Sequence, residues 1–145
     1  MARVKTAVLI SGRGSNMQAL IDAAKDPAYP AEIVRVISNA PEAGGLERAA
    51  EAGIATTAID HRNFEGRAPF EDALHAELVS AGVELVCLAG FMRLLTAAFV
   101  GAGQMLFGTD DPFIDADRGH VERLDLPETD KARILGENAA ALLGL

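Results

Sequence analysis

Short apolar runs alternate along the chain with stretches whose apolar residues recur at helical spacing. The first run, Ala7 to Ile10, is unbroken, as suits a strand covered on both faces. It gives way to Ser11-Gly12-Arg13-Gly14-Ser15-Asn16, in which two glycines permit backbone angles that a Cβ forbids. Met17, Leu20, Ile21 and Ala24 then form a helical stripe, with Ser15 or Asn16 as the expected cap. Pro27 and Pro30 bracket a connection to a second strand, Glu32 to Ser38, whose Ile33-Val34-Arg35-Val36-Ile37 run is rich in β-branched residues. Ser38-Asn39-Ala40-Pro41 reads as a turn, and Leu46, Ala49 and Ala50 as a short helix closed by Gly53. A third strand is expected over Thr56 to Ile59, then a loop from Asp60 to Gly66. A third helix runs from Pro69 to Ser80, with Phe70, Leu74 and Leu78 on one face. After Gly82 comes a fourth strand, Leu85 to Ala89, apolar throughout. Gly90 releases it into a helix or helical turn over Phe91 to Val100.

Strand and helix thus alternate four times, the order of a parallel sheet with right-handed crossovers. Gln104 to Phe107 offers a fifth short strand, Gly108 to Ile114 a loop, and Leu126-Pro127-Glu128 the start of a last helix carrying Ile134, Leu135, Ala139, Leu142 and Leu143. The expected fold is a single α/β domain over residues 1–145: a doubly wound (Rossmann/flavodoxin-like) parallel sheet of about five strands with helices on both faces. In such sheets ligands sit beyond the carboxyl ends of the strands, the edge to which the loops carrying Gly14 and Arg93 belong. A strand, a glycine turn and a helix start in immediate succession bring free N–H groups and the positive end of a helix dipole together. Gly12, Arg13, Gly14, Ser15 and Asn16 are therefore candidate phosphate ligands. A tight turn without a ligand has the same signature.

The formal net charge of −8 excludes nucleic acid as a partner, since no basic run offsets it. Arg3, Lys5 and Arg13 are expected to make the first strand and its loop locally positive. The acids concentrate instead from Gln104 onward. No apolar stretch approaches the length of a membrane span and no charged leader opens the sequence, so a cytoplasmic protein is expected. Cys87, the only cysteine, lies within Leu85-Val86-Cys87-Leu88 and reads as a buried thiol. His61 in a loop and His75 on the third helix show no metal-ligand spacing, and no metal is expected.

Val8-Leu9-Ile10-Ser11-Gly12-Arg13-Gly14-Ser15-Asn16, Ile37-Ser38-Asn39, Gly45-Leu46-Glu47-Arg48-Ala49 with Gly53-Ile54, and Leu88-Ala89-Gly90-Phe91-Met92-Arg93-Leu94-Leu95 keep a common order. Through them residues 3 to about 101 resemble the amino-terminal half of the glycinamide ribonucleotide formyltransferase family, which moves a formyl group from a reduced folate. The resemblance implies that Gly14, Ser15 and Asn16 hold a ribonucleotide phosphate, and that Met92, Arg93 and Leu95 line part of a folate pocket. In that family an Asn-Ile-His-Pro-Ser block follows on the next strand and a later loop supplies an aspartate. The asparagine polarises the formyl carbonyl, the histidine moves protons and the aspartate orients the histidine. No such block follows Gln104-Met105-Leu106-Phe107, and His120 lies too far along to stand in for that histidine.

Residues 104–145 resemble instead the last strand, loop and helix of an amidohydrolase-type barrel of the decarboxylase group, with Asp110 matching a metal-site aspartate. These resemblances together imply a chimera joined near Gly103: a non-enzymatic scaffold with no catalytic residues, at most weakly binding phosphate or a ribonucleotide. It would require no cofactor and keep at most a remnant site for reduced folate, as a monomer or homodimer. The alternatives are an active folate-dependent formyltransferase and a dimerising, non-catalytic module.

Overall fold

In the computed structural model, residues 2–100, 125 and 127–132 are described. The backbone divides into two compact units, Met1–Leu94 and Leu95–Leu145.

The first unit is built on β1 (Val4–Ile10), followed by α1 (Ser15–Ala24), β2 (Ala31–Ser38), α2 (Gly44–Glu51), β3 (Thr56–Ala58), α3 (Arg67–Ser80) and β4 (Leu85–Leu88). The strands form one parallel sheet in the order β3-β2-β1-β4. With right-handed crossovers that order puts α1 and α2 on one face and α3 on the other. β1 is central, and Ala7, Val8, Leu9 and Ile10 are each 0% exposed, which accounts for their unbroken apolarity. Met17 and Ile21 of α1 pack on the β1–β2 face with Val36 and Ala49. From α3, Phe70, Leu74 and Leu78 are buried, and Phe64 meets the Phe70 ring edge-on at 5.9 Å. A parallel α/β sheet is therefore present with four strands among the described residues. The fifth strand expected over Gln104 to Phe107 lies outside them.

Three local expectations are corrected. Neither Ser15 nor Asn16 caps α1. The N-cap is Gly14, whose left-handed φ of 73° starts the helix one residue early and puts both polar residues inside its first turn. Phe91 to Thr96 is not helical, because Gly90 (φ 77°) turns the chain and the Met92 N–H is committed to the Ser11 hydroxyl at 2.7 Å. Cys87 is half-buried and not buried, and Leu85 and Leu88 of the same strand are 46% and 58% exposed. Among the described residues β4 pairs with β1.

The second unit contains α4 (Ala97–Val100) and α5 (Glu128–Ala132). Thr96 caps α4, its Oγ1 accepting from Phe99 N–H at 3.2 Å. Pro127 starts α5, its carbonyl accepting from Asp130 and Lys131, with Glu128 and Asp130 as first-turn acids suited to the helix dipole. No helix among the described residues is long and apolar enough to cross a membrane.

Candidate functional site

β2 lies on one side of β1 and β4 on the other, so the loops leaving the carboxyl ends of β1 and β4 diverge. Such a point of divergence opens a crevice. Here it holds a cavity of about 230 Å³ lined by Ser11, Gly12, Arg13, Gly14, Ser15, Asn16, Ala89, Gly90 and Met92. The two walls are tied at their base: Ala89 N–H donates to Leu9 C=O at 2.9 Å, and Ser11 N–H to Gly90 C=O at 3.1 Å.

One wall is the loop from β1 into α1. The first intrahelical bond runs from Gln18 N–H to Gly14 C=O at 2.9 Å, which leaves the preceding first-turn amides of Ser15, Asn16 and Met17 without a carbonyl one turn back. Amides at a helix start, with the positive dipole end behind them, suit a phosphate group. Gly14 is buried and admits no Cβ: besides its positive φ, the added carbon would lie 2.9 Å from Met17 Cε and 3.0 Å from Gly45 Cα. Gly12 faces open space, so its neighbours set no steric demand there. Arg13, Ser15 and Asn16 are exposed at the rim, where their side chains can reach an anion.

Of the three bases expected to make this region positive, only Arg13 lies at the cavity. Arg3 is at the opposite end of β1, roughly 20 Å away along the strand. There its guanidinium donates to the carbonyls of Ala24, Tyr29 and Ala31, closing the connection between α1 and β2. Lys5, near the start of the same strand, packs beside Gly82.

Behind the cavity, three consecutive strand ends come side by side. Ile10 is paired with Ser38, so the next residues, Ser11 and Asn39, are neighbours. Ile59 N–H donates to Ser38 C=O at 2.8 Å, which brings His61 into line after β3. The Ser11 hydroxyl donates to Asn39 Oδ1 and accepts from Met92 N–H. On its other side, Asn39 Nδ2 stands 3.1 Å from His61 Nδ1. The adjoining turn, His61–Asn63, is fixed by Asp60, whose carboxylate accepts from the Arg62 amide at 3.0 Å and from its guanidinium at 2.8 Å. That pairing holds the Asp60 carboxyl below the usual carboxylate range and pushes Arg62 up. Composition and periodicity assigned Asn39 only to a turn and His61 only to a loop. The signal that could have joined them is topological, since polar residues directly after neighbouring parallel strands share one edge.

Of the residues implied for a folate pocket, Met92 lines the cavity and is 80% exposed. Arg93 is half-buried and is not among the lining residues, while Leu95 belongs to the second unit. Asp110 and His120 lie outside the described residues.

A family model described as formyl transferase matches residues 4–106. The trifunctional purine biosynthetic protein adenosine-3 of Drosophila melanogaster is 52% identical over 100 residues, which is 68% of this chain and 7% of that one. The phosphoribosylglycinamide formyltransferase of Escherichia coli (strain K12) is 46% identical over 101 residues, 68% of this chain and 48% of that one. This chain therefore spans about half of the bacterial relative and a small part of the trifunctional one. The crystal structure of phosphoribosylglycinamide formyltransferase from Brucella melitensis superposes with a TM-score of 0.71 at 41% identity, covering 86% of this chain and 67% of that chain.

These likenesses overturn three expectations. The chimera finds no support: none of these matches is an amidohydrolase, and the Brucella superposition takes in more of this chain than residues 4–106 amount to. A non-enzymatic scaffold conflicts with matches that are enzymes by name. A protein that requires no cofactor conflicts with them as well, because transferring a formyl group needs a donor to carry it.

Proposed function

The chain belongs to the formyl transferase family, and from that premise we propose that it acts in formyl transfer to phosphoribosylglycinamide, its first unit binding the phosphate of that substrate. The observation that carries this reading is the cradle formed by Gly12, Arg13, Gly14, Ser15 and Asn16 on one wall of the cavity. First-turn amides supply donors in a fixed array, Ser15 and Asn16 add side-chain donors, and Arg13 adds the only positive charge among the lining residues. A phosphate held there would direct the rest of the ribonucleotide along the sheet edge toward the loop after β4.

A reduced folate carrying the formyl group is the donor that the resemblance implies. Met92 offers exposed apolar surface on the wall facing the cradle, which suits one face of a planar ring, and Gly90 puts no side chain in the way. Met92 and Arg93 are the residues of the first unit assigned to it. Their part is to bind and orient the donor, with the cradle fixing the acceptor at the other wall. Two separately anchored substrates then meet at short range, from which much of the rate advantage of a transferase arises.

The test is an amide-resolved titration of the full chain with phosphoribosylglycinamide and, separately, with inorganic phosphate. Saturable shifts centred on Gly12 to Asn16 are expected with both ligands, and further shifts at Ala89, Gly90 and Met92 with the ribonucleotide alone. Silence at Gly12 to Asn16 at millimolar ligand overturns the reading.

A further inference from the structure

We propose that Asn39 is a positioning residue of this site: through Ser11 it sets the distance between the phosphate cradle and the Met92 wall, and it ties the His61 ring to the same edge. The inference rests on the cradle being the phosphate site. Asn39 and His61 are not among the cavity-lining residues, whereas Ser11 and Met92 both are, on opposite walls.

The donor and acceptor inventory fixes the direction of both bonds at Ser11. Met92 N–H can only donate, so at 2.7 Å it uses a lone pair of Ser11 Oγ. The single hydroxyl proton of Ser11 is then directed to Asn39 Oδ1. With its oxygen so occupied, the Asn39 amide turns its NH₂ toward His61, 3.1 Å from Nδ1. His61 Nδ1 also stands 3.0 Å from the Asn39 backbone carbonyl, so Asn39 meets the ring through its side chain and its backbone together. Asn39 is 4% exposed, so water has little access to replace these bonds. The series Met92, Ser11, Asn39, His61 thus crosses the ends of β4, β1, β2 and β3 in their spatial order, joining the four strand ends among the described residues.

A structural contact could hold the same atoms, so the decisive experiment reads the two ends of the series. The full chain and its Asn39→Ala, Asn39→Asp, Ser11→Ala and Ser11→Thr variants are compared by hydrogen exchange at the Met92 amide, by the ¹⁵N signals of His61 and by titration with inorganic phosphate. In Asn39→Ala, Met92 exchange is expected to rise by about five- to tenfold, the equivalent of one ordinary hydrogen bond, and phosphate binding to weaken. Ser11→Ala is expected to do the same, and Ser11→Thr, which keeps the hydroxyl, to restore both. Asn39→Asp keeps the acceptor for Ser11 and removes the donor to His61. It should leave Met92 protected while the Nδ1 signal shifts, because one of the two Asn39 groups facing that nitrogen has changed.

Met92 exchange in Asn39→Ala equal to that of the parent chain overturns the proposal, as does an unchanged Nδ1 signal in Asn39→Asp. If the parent chain itself does not bind phosphate, the functional reading falls, while the Met92 and His61 readouts still decide the role of Asn39.

Discussion

The Gly45 N–H donates to the Gly12 carbonyl at 3.0 Å, so the first turn of α2 braces the loop after β1 from behind. A Cβ at Gly45 would overlap Ile10 Cδ1 and lie 3.0 Å from Gly12 O and 3.2 Å from Gly14 Cα. Ile10 is 0% exposed and two of the three obstacles are backbone, so little can yield. Gly45→Ala is expected to destabilise the chain by about 1–3 kcal/mol, the range for overpacking. It should also weaken phosphate binding, because the displaced atoms are those of the cradle. Urea denaturation and phosphate titration check the two effects. A variant of unchanged stability would show that α2 does not brace the loop. By contrast, Gly12→Ala, with nothing within 4 Å of its added carbon, should cost little stability.

The sheet makes a second contrast between two leucines. Leu74 of α3 is 0% exposed and Leu88 of β4 is 58% exposed. Leu74→Ala opens a cavity in a packed face and is expected to cost about 2–5 kcal/mol. Leu88→Ala removes surface that is largely in water, and a loss of under about 1 kcal/mol follows. Chemical denaturation of both variants decides it. Equal losses would mean that Leu88 is buried in solution.

Those leucines also mark how far the sequence could be read. β1, β2 and the helices α1 and α3 were legible because a central strand must be apolar on both faces and a surface helix must carry a stripe. Val8 and Met17 illustrate each case, both at 0% exposure. The place of β4 beside β1 was not legible, since the order of parallel strands depends on non-local pairing that Leu85-Val86-Cys87-Leu88 does not itself encode. The glycine cradle was visible from Gly12 to Asn16 because its geometry is local. Its supports were not: Gly45, Asn39 and His61 reach it from other strands and helices, and nothing in their immediate neighbourhood distinguishes them from turn residues. Arg3 was misplaced for a related reason, as proximity in sequence to Arg13 concealed the length of β1.

Arg3 supplies a third prediction. Its Nε donates to the carbonyls of Tyr29 and Ala31, at 3.1 Å each, and Nη2 to that of Ala24 at 2.6 Å. A lysine retains the charge and loses the planar fork, so it cannot reach three carbonyls spread over the end of α1 and the start of β2. Arg3→Lys is expected to destabilise by about 1–3 kcal/mol, the scale of hydrogen bonds made by a charged group. Phosphate binding at the far end of β1 should be unchanged. Thermal unfolding beside a phosphate titration separates the two. A weakened phosphate site in Arg3→Lys would place the arginine's influence at the cavity after all.

Cys87 tests burial through its titration. Its backbone, on β4, is paired with Val8 of β1, and partial burial pushes the thiol above its ordinary value because the thiolate loses solvation. The native chain therefore holds this proton more tightly than the unfolded one. The resulting stability is fully present below the unfolded thiol value, about 8.5, and is lost as pH rises through the folded value. Cys87→Ala lacks that term, while every other titrating group is common to both proteins. The stability of the parent chain relative to Cys87→Ala is thus expected to be constant from pH 6 to 8 and to fall between pH 8.5 and 10.5. Alkylation should run parallel, because the thiolate is the reactive form: at pH 8.5 Cys87 should react more slowly with iodoacetamide than an unstructured peptide thiol. Paired urea melts across that range, with mass-spectrometric alkylation rates, make the measurement. A stability difference that stays flat to pH 10.5 would show that β4 leaves the sulfur fully solvated.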